Sequence, residues 1–130
     1  TGLPIDREGE TFGNVPPYTA FLAAQYSFDL EGPGDGWLRG WLTPRLEGVL
    51  SGPIHYQGLE LPSATQGAFA LLNARLTYDF NDDRSQVALW GRNLTDTVYF
   101  GSSIPITAFG YNLPFLGTPR TFGAELSHRF

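Results

Sequence analysis

The residues that could carry chemistry are few and scattered. His55 and His128 are the two histidines, and the chain has no cysteine. Neither histidine has a second histidine or paired carboxylates at ligand spacing, so no metal site is expected. The absence of cysteine removes disulfides, thiolate zinc sites and cysteine nucleophiles together. Serines occur without a nucleophile motif or a base beside one. Asp82-Asp83 reads as a solvated pair in a tight polar turn, and no glycine-rich phosphate loop occurs. No cofactor is expected, and an enzyme has no supporting constellation.

Charge and aromatic surface remain. All eight basic residues are arginine, against thirteen carboxylates, for a net charge of −5. An acidic chain without a basic cluster makes a poor nucleic-acid partner, because phosphate neutralisation supplies most of that affinity. The chain also holds ten Phe, six Tyr and three Trp beside sixteen Gly and ten Pro. That mixture suggests a β protein with long connections. Two polar groupings follow. Arg39, Arg45, Glu47, Asn73, Arg75, Arg92 and Glu125 recur on alternating segments and predict one polar wall. His55, Tyr56, Tyr99, Phe109 and Tyr111 lie in turn-rich segments, where aromatic rings give broad contact with a ligand.

The elements that must position these groups are strands. Residues 18–28 alternate, with Tyr18, Ala20, Leu22, Ala24, Tyr26 and Phe28 on one face. Successive strand side chains point to opposite faces, so this is a period-2 strand with one apolar side. The pattern returns over 37–51, 67–80, 85–94 and 120–130. Pro44 lacks a ladder donor, which predicts a local irregularity. The connections 29–36 and 81–84 are short, whereas 52–66 and 95–119 are long and read as loops. Short turns at one end and long loops at the other suit an outer-membrane barrel.

No run approaches the ~18–20 apolar residues of a membrane-spanning helix. A strand barrel escapes that test, because its strands are short and half apolar. The apolar faces carry much Ala, Leu and Gly, which suits lipid. Aromatics gather near strand ends, as in interfacial girdles. A soluble β-sandwich, for instance a carbohydrate-binding module, shares the alternation.

Three stretches then matter together. They are Leu71-Leu72-Asn73-Ala74-Arg75-Leu76-Thr77-Tyr78, Ala88-Leu89-Trp90-Gly91-Arg92-Asn93-Leu94-Thr95-Asp96 with Tyr99, and Pro119-Arg120 through Arg129-Phe130. Asn14 to Tyr18 is a weaker fourth. In order and spacing they resemble the C-terminal barrel region of TonB-dependent outer-membrane receptors. His128 departs from the resemblance, which usually has an aromatic there.

The resemblance implies an all-β fold of antiparallel up-and-down strands, residues 1–130 being the last five or so. The whole barrel would have about 22 strands and a plugged lumen. The chain has no methionine and opens without a signal-like stretch, so it is expected to be part of a longer protein whose plug lies elsewhere. The implied function is uptake of a scarce solute, of ferric siderophore, cobalamin or glycan class, across the outer membrane of a Gram-negative bacterium. Another barrel such as a porin is the alternative. The implied partners are outer-membrane lipid, TonB through the absent plug region, and the barrel-assembly machinery. Phe122, Ala124, Leu126, His128 and Phe130 resemble the assembly signal, an exposed strand able to add to a sheet edge. The seven-residue polar wall would line the lumen. In this context Asn93-Leu94-Thr95 is a chance match to a glycosylation sequon.

Overall fold

The computed structural model describes residues 15–30, 39–56, 65–80, 84–106 and 111–130. They form ten strands: β1 (Thr19–Gln25), β2 (Phe28–Leu30), β3 (Gly40–Ser51), β4 (Ile54–His55), β5 (Thr65–Gln66), β6 (Phe69–Phe80), β7 (Ser85–Arg92), β8 (Phe100–Ile106), β9 (Tyr111–Leu116) and β10 (Thr121–His128). The fold is all-β and antiparallel. Two compact units divide it, one of Ala20–Leu50, Ala70–Thr97 and Thr118–Phe130, the other of the remaining segments.

The larger unit is one sheet in the order β1-β3-β6-β7-β10, with β2 also on β3. Its register explains the alternation. Leu76 pairs with Leu89 and Tyr78 with Val87, while Ala124 pairs with Leu89 and Leu126 with Val87. Phe28 pairs with Leu42 on the other side of the sheet. One face therefore collects Leu22, Leu46, Leu76, Leu89, Phe122 and Leu126, all exposed. The opposite face collects Arg75, Trp90 and Glu125. β7 turns Val87, Leu89 and Gly91 to the apolar side.

The expected irregularity at Pro44 lies in its neighbour. β3 runs straight through Pro44, whereas the strand beside it breaks between β1 and β2. The Tyr26 amide donates to the Pro44 carbonyl at 3.2 Å. Proline has no N–H to return the bond, so the ladder lapses at Tyr26-Ser27.

Glycine and aromatic residues interlock where β7 meets β10. Phe122 lies opposite Gly91, and Gly123 opposite Trp90. A Cβ at Gly91 would come within 3.0 Å of the Phe122 ring, and one at Gly123 would run into the Trp90 indole. Each glycine is a seat for a ring on the facing strand, once on each face.

The smaller unit corrects the reading of 95–119 as a loop. It holds the β8–β9 hairpin, with Ser103 opposite Pro114 and Ile104 opposite Leu113. The segment 52–66 likewise contains the short β4–β5 ladder. Pro105 and Pro114 disguised the hairpin, since proline argues against a central strand. A two-stranded ribbon is all edge and tolerates it.

The described residues have almost no core. Tyr56 and Ala88 are the only buried hydrophobic side chains among them.

Candidate functional site

The polar face of the larger unit is where chemistry concentrates. An open cleft of about 300 Å³ is lined by Arg45, Glu47, Asn73, Arg75, Trp90, Arg92 and Glu125, among others. Six of the seven residues expected to share a wall thus meet in one place. Arg39 does not. It precedes β3, six residues before Arg45, or ~20 Å along an extended strand.

The cleft is organised by pairing. Arg45 Nε donates to Glu47 Oε1 at 2.6 Å, and its other arm reaches Gln25 Oε1 at 3.1 Å. Arg75 grips Glu125 with two bonds, of 3.2 and 2.6 Å. This fork joins β6 to β10 across the intervening β7. It passes over Ala88, whose exposure is 0% and whose neighbours in register are Thr77 and Glu125. A larger residue at 88 would hold the two strands' charges apart. Arg92 lies over the Trp90 ring at 5.3 Å, a cation–π contact.

The other face carries three aromatic pairs. Tyr26 meets Phe28, Tyr78 stacks on Phe80, and His128 meets Phe130 edge to face, with ring centroids 4.7, 5.3 and 4.9 Å apart. Phe80 and His128 share a row, each paired with Ser85. His128 Nδ1 also bonds to Ser85 Oγ at 2.9 Å. The histidine therefore stands where an aromatic was expected and packs as one. Phe122, Ala124, Leu126 and His128 share this face of β10, which has β7 on one edge and no strand on the other among the described residues.

All five aromatic-loop candidates belong to the smaller unit, and the side chains of three of them are described. Tyr56 is 3% exposed, and its hydroxyl donates to the Phe100 carbonyl at 2.6 Å. Burial pushes that phenol above its ordinary pKa. His55 Nδ1 lies 3.3 Å from Thr65 Oγ1. Tyr99 stacks on Phe69 at 4.7 Å and lies against Gly117. These groups brace the two hairpins. Phe109 and the Tyr111 side chain lie outside the described residues, as does Asp82-Asp83.

One residue of structural weight was missed. Asn93 is 3% exposed and has a left-handed backbone, with φ of 50°. Its Nδ2 donates to the carbonyls of Thr97 (2.8 Å) and Thr118 (3.2 Å), and its Oδ1 accepts from the Thr97 amide (2.9 Å). Its own amide donates to Asn73 Oδ1 at 3.0 Å. Asparagine tolerates that φ better than most residues. Both amide hydrogens are in use, so the sequon is internally occupied.

A profile of the family described as TonB dependent receptor-like, beta-barrel matches residues 3–94, most of the chain. The chain belongs to this family. The receptor barrel's open sheet, apolar on one face and charged on the other, is consistent with a piece of barrel wall. TonB-dependent receptors are transporters, and membership implies the bacterial outer membrane, TonB and a solute as partners. No curated protein and no solved structure matches the chain.

Proposed function

We propose that this chain is part of the wall of a Gram-negative outer-membrane receptor that imports a scarce solute, of ferric siderophore, cobalamin or glycan class. No bond of the solute is made or broken. TonB would supply the energy through a plug carried elsewhere in the receptor. The observation that carries this reading is the two-sided sheet: its apolar face is open and fit for lipid, and its charged face is internally paired and fit for a wet lumen. Arg45, Glu47, Asn73, Arg75, Arg92 and Glu125 form that lumen wall, with Arg39 nearer the short-turn end. We assign His55, Tyr56, Tyr99, Phe109 and Tyr111 to contacts made on the extracellular side.

The resemblance of Pro119 to Phe130 supports β10 as the closing strand. We assign Phe122, Ala124, Leu126, His128 and Phe130 to recognition by the assembly machinery, β10 offering its free edge for strand addition.

The test uses the full-length protein. It should fractionate with outer membranes and require detergent for release. Growth on a panel of scarce solutes should need it and should need TonB. Recovery in the soluble fraction would defeat the reading, and TonB-independent permeation would favour a porin. Removing Phe130 should lower the amount assembled in the outer membrane; unchanged levels would sink the assembly assignment.

A further inference from the structure

The ribbon of β8 and β9 needs support. A two-stranded hairpin is marginal in water and leaves backbone polar groups bare along both edges. The Gly117 amide donates to the Tyr99 carbonyl at 2.7 Å, and Phe100 pairs with Leu116. Phe100 is therefore in the non-hydrogen-bonded kind of antiparallel pair, and its own N–H and C=O point away from β9. The register shifts directly after it, between Phe100 and Ser102. Such bulges re-aim the backbone and end regular pairing.

Both outward groups of Phe100 are taken by side chains of the other long connection. The Phe100 amide donates to Gln66 Oε1 at 2.8 Å, and the Tyr56 hydroxyl donates to the Phe100 carbonyl at 2.6 Å. One residue thus meets an acceptor and a donor, as a neighbouring strand would offer them, but from side chains. Gln66 Nε2 donates to the Gly67 carbonyl at 2.9 Å, which leaves Oε1 for Phe100. The ladder that pairs Ile54 with Gln66 and His55 with Thr65 carries both side chains. A third contact is apolar, the Phe69 ring stacking on Tyr99 at 4.7 Å. All of these residues belong to the smaller unit. Three side chains of one connection therefore converge on two successive residues of the other.

We propose that the two long connections are latched at Phe100 into one body that opens and closes as a unit, so that contact made with either is passed to the other. This goes beyond the transport reading and does not need it. Two hydrogen bonds and one ring pair hold the latch, and their loss frees both sides together, as a cooperative local opening. Opening uncovers the Tyr56 ring, which is 3% exposed when the latch is closed, and that favours the closed body.

Hydrogen exchange read by mass spectrometry on the full-length receptor in lipid nanodiscs tests this. Tyr56→Phe keeps the ring and removes only the donor. It should speed exchange by about five- to tenfold, the worth of one hydrogen bond. The change should appear in both connections, at Ile54–His55 and Thr65–Gln66 and, across the latch, at Phe100–Ile106 and Tyr111–Leu116. Gln66→Leu should do the same from the other side of Phe100. Protection over Ser85–Arg92 should stay as in the wild type for both variants, since the sheet is untouched. Faster exchange confined to β4 and β5, with β8 and β9 at the wild-type rate in both variants, would overturn the latch. The wild type supplies a reading that needs no variant. On warming, the two connections should lose protection over one temperature range, and two separate ranges would also overturn it.

Discussion

The two faces of the six-stranded sheet share one backbone and carry opposite chemistry. On one face Leu22 and Leu126 are 77% and 78% exposed. On the other, charges reach across strands to find one another, and the Arg75–Glu125 fork crosses a whole strand to do so. A soluble protein covers its apolar face and leaves its charges to water. Here the apolar face is uncovered as well. The difference is the one a barrel wall needs if hydrocarbon meets one side and a polar interior the other.

The largest expected effect tests that assignment directly. Leu76→Arg on the apolar face should cost ~2–4 kcal/mol of folding into lipid near the midplane. The same change at Thr43, on the charged face, should stay within about 0.5 kcal/mol. Denaturant titration in liposomes measures both, and equal costs would mean the faces are inverted.

The point where the alternation stops is Asn93. Asn93→Ala should lose about 2–3 kcal/mol, because it removes three part-buried hydrogen bonds, to two carbonyls and an amide, and leaves alanine with a left-handed backbone. The same titration, with hydrogen exchange at the Thr97 amide, reads it. A loss below about 0.5 kcal/mol would show that the turn closes without its side chain.

A finer contrast uses adjacent residues of β10. Gly123→Val must displace the Trp90 ring and should cost about 1–3 kcal/mol. Ala124→Val points into open space and should be near neutral. Trp fluorescence should shift for the first alone, and a matching shift at Ala124 would break the distinction.

The smallest effect belongs to the Arg75–Glu125 pair, whose side chains are 37% and 54% exposed. A double-mutant cycle should show a modest coupling that shrinks as salt is raised. A large coupling indifferent to salt would mean that the charged face is dry.

Much of this sheet was legible because its signal is local. Leu72, Ala74, Leu76, Tyr78 and Phe80 announce their face by parity alone, and Arg45, Asn73, Arg75 and Arg92 announce the other. The cleft inherited that legibility, since parity and strand order together bring six of its residues to one wall. Arg39 shares the parity but not the level, and level depends on register, which no single strand reveals. The β8–β9 hairpin was obscured by Pro105, Pro114 and Gly101, whose local preference is for loops. Asn93 stands out in the sequence only as part of a family motif and of a chance sequon. Its bonds run to Asn73, Thr97 and Thr118, and such distant partners leave no periodic trace.

The three ring pairs Tyr26–Phe28, Tyr78–Phe80 and His128–Phe130 all stand toward the short-turn end of the sheet, and rings of this kind settle at the boundary between headgroups and hydrocarbon. Sliding the sheet by one side-chain step, ~7 Å, would carry all three across that boundary at once. In the proposed wall they would act as a depth gauge, setting how deep the sheet sits.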